Sequence, residues 1–527
     1  MNEKNELPNG WVCSTVGDLC QIAVGFAFKS DEFVGDGIRL LRGENIEPGA
    51  LRWNDTRYWP LEKAGLYQHL LISEGDIILA MDRPVVSAGL KLARASASDV
   101  PCLLVQRVAR IRPKADLCWS FLFWAMQSSD FVRHLLKGQT GTQLPHINTK
   151  SISAFEMHLA PPNEQRRIVA KIEELFSDLD AGEAALKRAK ANLKRYRAAV
   201  LKAAVEGKLT EEWRTTHPAK EPASTLLDRI LKERRQKWET DQLAKFAAAG
   251  KQPPKNWREK YVEPTPPDTT GLPELPVGWC WVSVDQLGDI QLGRQRSPKN
   301  RSDKFPTKYI RAANLTESGL NLTDVLDMEF QPSELEAYRL HPGDVLLSEA
   351  SGSPDQVGKP VVWNGEIDTC CFQNTVIRLR PMGIPSEYPL TVFKHYYSSK
   401  FFARVAAGVG INHLSAGKFS ALPFPLAPLA EQKLIVLEVE ERLSSISVAE
   451  QQLESNLLRA SRLRQSILKQ AFAGKLVRQD PMDESASVLL ERLRASRSAH
   501  DGNGNAATPA RTRNRRAKSK QPEGTDE

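Results

Sequence analysis

A chain that contains two copies of itself folds as two like modules plus whatever joins them, and this sequence repeats at a period of about 267 residues. Leu7-Pro8-Asn9-Gly10-Trp11 returns as Leu275-Pro276-Val277-Gly278-Trp279, followed at the same offsets by Val16 and Val284, then Leu19 and Leu287. Gly75-Asp76-Ile77-Ile78-Leu79 returns as Gly343-Asp344-Val345-Leu346-Leu347, and Val108 to Pro113 returns as Val376 to Pro381. Downstream, Leu159-Ala160-Pro161 with Glu164-Gln165 matches Leu426-Ala427-Pro428 with Glu431-Gln432, and Gly207-Lys208-Leu209 matches Gly474-Lys475-Leu476. The blocks keep one order and nearly one offset, which chance matching of common dipeptides does not produce.

Each copy has two parts. Residues 1–160 and 273–427 hold short apolar runs punctuated by Gly, Pro, Asn and Asp (Ile77 to Ala80, Val105 to Arg110, Val345 to Leu347, Thr375 to Leu379), the pattern of strands. Ser120 to Lys137 and Thr391 to Ala406 carry helical spacing, so these domains read as mixed α/β. A charged, proline-free stretch follows each domain. In the first, Ile168, Ile172, Leu175, Leu179, Gly182, Leu186, Ala189, Leu193, Tyr196 and Val200 alternate steps of four and three, the seam of a coiled coil. In the second the seam is Ile435, Val439, Arg442, Ile446, Ala449, Leu453, Asn456, Ala460, Leu463 and Ile467.

Neither rod could hide so apolar a stripe alone, so the two are expected to pair with each other. A domain-helix-domain-helix chain closes on itself through an approximate two-fold axis, which makes the pairing antiparallel and places the domains at opposite ends. The sequence therefore divides into a domain at 1–160, a helix at 161–211, a helical and Pro-rich connector at 212–272, a domain at 273–427, a helix with a short helical extension at 428–496, and a basic tail at 497–527 expected to be disordered. The connector holds a predicted helix from Ser224 to Phe246, with Ser485 to Arg494 as its counterpart.

Lys and Arg outnumber Asp and Glu by 72 to 64, a formal charge of +8, which favours a polyanionic partner. The seven cysteines are scattered, without a CxxC pair, so a reducing cytoplasm and no zinc site are expected. The first thirty residues lack an apolar core segment and no run approaches membrane length, so neither export nor a membrane partner is expected. No phosphate-cradling GxxxxGK[ST] and no Asn-Pro-Pro-aromatic or Asp-Pro-Pro-aromatic motif is present, and Gly502-Asn503-Gly504 follows no strand. Pro354-Asp355 with Glu431-Gln432-Lys433 loosely matches a metal-nuclease pattern, but Glu431 repeats as Glu164, where a carboxylate complements a helix start.

Taken together, the duplicated Leu-Pro-x-Gly-Trp, the Pro-Pro-Asn-Glu-Gln and Pro-Leu-Ala-Glu-Gln helix openings, and Gly207 to Arg214 (Gly-Lys-Leu-Thr-Glu-Glu-Trp-Arg) give a resemblance over nearly the whole chain. It resembles the specificity subunit of type I restriction-modification enzymes. After Gly474-Lys475-Leu476 the second copy reads Val-Arg and loses the Thr-x-x-Trp-Arg continuation, which bears on local packing there. The resemblance implies two target recognition domains that each read one half of a split, asymmetric site in double-stranded DNA, while the helices fix the gap. It implies a non-catalytic chain without cofactor, docked by two methyltransferase subunits that bring S-adenosylmethionine and adenine-N6 chemistry, and by restriction subunits that bring ATP, Mg, translocation and cleavage.

Loop residues with polar or basic side chains are the candidate DNA contacts: Lys29, Arg42, Asn45, Arg83, Gln143 and His146 in the first domain. In the second they are Arg294, Gln295, Arg296, Lys299, Arg311, Asn314, Ser351, Asn412 and His413. Arg294 and Arg296, in a Gly-led loop, rank first, and His146 and His413 occupy equivalent places. The rival class is a coiled-coil scaffold, which would bind DNA without regard to sequence or not at all.

Overall fold

In the computed structural model, residues 7–114, 116–137, 146–295, 305–351, 356–406 and 412–501 are described; Gln143, Arg296, Lys299 and the sequence from 502 onward lie outside them. The chain forms two compact units, one from residues up to 185 together with those from 456, the other from 186–455. The division runs through both long helices, Pro162–Val205 and Leu429–Phe472, each 44 residues without a break.

In the first unit a four-stranded antiparallel sheet runs in the order Leu92–Arg94, Ile77–Ala80, Val108–Pro113, Cys20–Val24. Ile77 to Ala80 is apolar at every position because both of its faces are covered. Ile77 and Leu79 face a core shared with the helices Trp119–Met126 and Ser129–Lys137, while Ile78 and Ala80 meet a second sheet through Leu40, Leu41 and Leu103. That second sheet pairs Ile38–Leu41 parallel to Cys102–Leu104 and antiparallel to Arg57–Trp59.

The other unit repeats the plan: Pro360–Trp363, Asp344–Ser348, Val376–Pro381 and Gly288–Leu292 form the four-stranded sheet. Pro306–Ile310 lies between Cys370–Phe372 and Leu326–Glu329 in the small one. One buried ion pair accounts for two of the repeated sequence blocks. Asp76 accepts Arg112 Nε (2.7 Å), Arg112 Nη2 (2.6 Å) and the Ser73 N–H (2.8 Å). Asp344 accepts Arg380 Nε (2.7 Å), Arg380 Nη2 (2.8 Å) and the His341 N–H (2.8 Å). The Gly-Asp and Arg-Pro blocks recur together because they bond to each other.

The other blocks meet at the root of each module. Gly207 and Gly474 end the long helices in the left-handed region, at φ +66° and +67°. A Cβ on Gly207 would lie 2.6 Å from the Pro276 ring, and one on Gly474 would lie 2.4 Å from the Pro8 ring. Gly-Lys-Leu and Leu-Pro-x-Gly-Trp are thus two sides of one contact, made once in each unit. The helix Ala223–Ala248 adds Ala223, Leu226 and Ile230 to the core of the second unit, and Ala486–Asp501 adds Ala486, Leu489 and Leu493 to that of the first.

Within each unit the long-helix segments run antiparallel. In the first, Arg464 lies over Phe176 and bonds Asp180, while Ile168, Ile172, Ile467, Leu468 and Ala471 share one core. In the second, Lys190 pairs with Glu454 (2.7 Å) and Arg197 with Glu450 (2.7 Å). Ile168, Ile172, Val200, Ile435, Val439, Ile446 and Ile467 are buried, and Leu175, Leu179, Leu186, Leu193 and Leu453 half-buried. Leu463 corrects the expected seam: it is 47% exposed, and Arg464 takes the inward place. A straight helix drifts by about 20° per heptad from a strict 3.5-residue repeat, so the inward set slips by one residue.

Both helices predicted inside the domains are broken in two. Ser129–Lys137 restarts with the Ser128 hydroxyl accepting the Phe131 N–H, and Glu387–Ser398 ends before Lys400 at φ +60°.

Candidate nucleic-acid interface

At one end of the four-stranded sheet the first module gathers side chains from three loops and a bridge, joined through their backbones. The Gln106 N–H donates to Phe26 O (2.8 Å), the Met81 N–H to Arg107 O (2.9 Å) and the Ile147 N–H to Met81 O (2.9 Å), with Asp82 and His146 paired as a bridge. Gly25 makes the approach possible, since a Cβ there would fall 2.3 Å from the carbonyl oxygens of Leu104 and Val105. Phe26, Gln106, Arg107, Asp82, Arg83 and His146 therefore share one edge.

The chemistry of that edge is aromatic and cationic. Phe26 is 47% exposed, against Phe28 and Tyr67 at 5.3 and 5.1 Å between ring centroids. Asp82 Oδ1 meets His146 Nδ1 at 2.7 Å and accepts from Arg107 Nη1 at 3.0 Å. Arg83, at φ +43°, and Lys29 are exposed.

The second module repeats the backbone scheme with other side chains. The Asn374 N–H donates to Arg294 O (3.1 Å), the Glu349 N–H to Thr375 O (2.9 Å) and the Leu414 N–H to Glu349 O (2.9 Å). His413 again bonds a carboxylate, here Glu349, which reaches it from the backbone place that Met81 holds in the first module. Burial pushes the Glu349 carboxyl above the usual range, and the facing imidazole opposes without offsetting it. The backbones of Ser351 and Asn412 pair beside it, and Gln295 is exposed.

Several candidates from the sequence have other employment in the structure. Arg294, ranked first, is only 9% exposed; its Nε donates to Glu334 (2.9 Å) and its guanidinium lies 5.4 Å from the Phe330 ring centre. A Gly-led arginine loop looks like an anion site in sequence, but a carboxylate forty residues on sequesters this one. Asn45 and Asn314 are buried, each accepting from the N–H of the arginine three residues earlier, at 3.0 and 3.1 Å. Asn45 donates to Arg52 O, Asn314 to Asn321 O and Asp324 O. Arg42 bonds Asp55 and Arg311 bonds Asp324, so both Arg-x-x-Asn sets hold a turn, and neither buried amide is open to a base edge. The residues sequence reasoning missed are Phe26, Arg107 and Glu349. Their signal was the histidine pair: each has a carboxylate 64 residues before it.

The description "Type I restriction modification DNA specificity domain" matches residues 8–188. The EcoAI specificity subunit of Escherichia coli is 38% identical over 186 residues, 35% of this chain and 31% of that protein. Longer matches join both modules. The StySPI specificity subunit of Salmonella potsdam is 24% identical over 519 residues, 95% of this chain and 98% of that one. The EcoKI specificity subunit of Escherichia coli (strain K12) is 24% identical over 516 residues, 94% and 97% of the two chains. The chain is similar to type I restriction enzyme specificity subunits, in its first module by the family description and over nearly its whole length by these two relatives.

A solved chain from a study of type I R-M complex assembly and conformational transition has the same fold, with TM-score 0.61, 18% identity and coverage of 89% of this chain and all of that chain. Among the described residues no cluster of His, Cys, Asp and Glu could hold a metal ion, and no helix is long and apolar enough to cross a membrane.

Proposed function

We propose that the two sheet ends are reading faces, each for one half of a split, asymmetric site in double-stranded DNA. The observation that carries this is the shared backbone line bearing unlike side chains: Gln106 against Asn374 and Arg107 against Thr375, with exposed Phe26 where the second module has the sequestered Arg294, and a histidine at the end of both. Equal side chains would read equal half-sites; a common frame with unequal groups reads unequal ones. Exposed Lys29, Arg83 and Arg107 supply phosphate attraction in the first module, and base-edge contacts from the same loops supply discrimination.

In this reading two methyltransferase subunits dock on the chain and perform adenine-N6 methylation with S-adenosylmethionine, while restriction subunits add ATP- and Mg-dependent translocation and cleavage. The unbroken 44-residue helices are proposed to set the gap. Deleting four residues within 183–200, about 6 Å of helix, is expected to change the preferred gap in methylated sites; an unchanged gap refutes the ruler. The DNA-reading proposal is tested by selecting duplexes from a random pool with the purified methyltransferase–specificity complex. Two short unlike motifs at a fixed spacing are expected. Retention without sequence preference would favour the scaffold reading.

A further inference from the structure

We propose that His146 reads an exocyclic amino group, of adenine or cytosine, in the major groove of the first half-site, and that Asp82 is the positioning residue that equips it to do so. The proposal rests on the reading face assigned above. Asp82 Oδ1 also accepts a hydrogen bond from the Arg107 guanidinium, so it meets the imidazole as an acceptor, and the histidine proton must sit on Nδ1, 2.7 Å away. In the neutral ring that leaves the lone pair of Nε2, which has no partner among the described residues, on a side chain that is 33% exposed at the sheet end. An acceptor held there matches the N6 amino group of adenine or the N4 amino group of cytosine. It opposes guanine N7 and O6, thymine O4 and the phosphate oxygens, which are themselves acceptors.

Recurrence argues that the pair is a device of the fold. His413 meets Glu349 at the corresponding place, although the carboxylate comes from the neighbouring backbone position and the ring is turned over, with Nε2 toward the carboxylate. The side chain of His413 is 53% exposed. A tie that merely fastened a loop to the sheet would need neither the exposure nor the same pairing rebuilt from a different position.

The test uses the whole chain in complex with its methyltransferase partner, methylating duplex libraries at pH 8, above the ordinary histidine range of about 6.5. The wild type is expected to yield a split motif. In His146→Ala one adenine- or cytosine-specific position of one half-site becomes degenerate, with discrimination falling roughly 5- to 150-fold, the range for one base contact. Asp82→Asn relaxes the same position more weakly, because an amide can donate to Nδ1 and permit the other tautomer. His413→Ala relaxes only the other half. Should His146→Ala fail to fold, His146→Gln fills similar space with a donor and an acceptor and is expected to admit keto bases at that position. Uniformly slower methylation with an unchanged motif, the mark of a phosphate contact or a structural tie, overturns the proposal, as does relaxation of both halves. If the wild type shows no split motif, it is the underlying functional reading that fails.

Discussion

At the root of each module a tryptophan indole donates to a glutamate in the first turn of a long helix, yet the two glutamates keep different company. Glu431 accepts Trp279 Nε1 at 2.8 Å on one oxygen, and the Thr210 hydroxyl at 2.6 Å and Arg214 Nε at 3.0 Å on the other. Glu164 accepts Trp11 Nε1 at 3.0 Å, but its second oxygen is buried with no partner among the described residues. Thr210 and Arg214 follow Gly207-Lys208-Leu209, whereas Val477 and Pro481 stand at the matching places after Gly474-Lys475-Leu476. Arg167, whose charge acts on Glu164, is paired with Asp483 at 2.6 Å. Burial therefore raises the Glu164 carboxyl above its ordinary 4.5 despite Trp11 and Arg167. The repeat has kept the shape of the junction while losing its electrostatics in one copy.

The largest effect that would sharpen this contrast is expected from Glu431→Ala. It strands Arg214 and Thr210 at a buried site, and breaking a buried ion pair from one side costs about 3–5 kcal/mol. Denaturant unfolding of the second unit should register it, and a loss below about 1 kcal/mol would mean the junction's ionic contacts are idle. Next come Gly207→Ala and Gly474→Ala, which impose left-handed strain of about 1–3 kcal/mol and a clash with a proline ring. Both should destabilise their own unit alike; a wide disparity would show that the two junctions differ in shape as well as charge. The smallest effect belongs to Glu164→Gln. Because the folded value lies above the unfolded one, the ionised carboxylate weakens the first unit at neutral pH, and that penalty fades as pH falls through the folded value toward 4.5. Glu164→Gln should flatten this slope in hydrogen-exchange stability in the range just above pH 4.5, whereas an unchanged slope would assign it to other groups.

Repetition made the fold legible, since the blocks that recur are the ones that touch: Asp76 with Arg112, Pro8 with Gly474, and Trp11 with Glu164. The strand Ile77–Ala80 was visible because it is apolar throughout, and the long helices because their stripe runs for forty residues. The reading face was harder. Local pattern marked Arg294 as a binder, but its fate is set by Glu334, which the small sheet and its following helix bring alongside. Glu349 carries no local motif that marks it as functional, and only the fold sets it against His413. Leu463 lost its place to Arg464 because heptad counting ignores helix drift and the reach of an arginine stem over Phe176.

The central claim, that one chain reads two unlike half-sites, is tested most directly by expressing it with its methyltransferase partner in an unmethylated host and mapping N6-methyladenine across the genome. The account predicts a split, asymmetric motif with a fixed gap that disappears when the chain is omitted. Methylation at a continuous motif, or none at all from copurifying subunits with an intact methyltransferase, would contradict it.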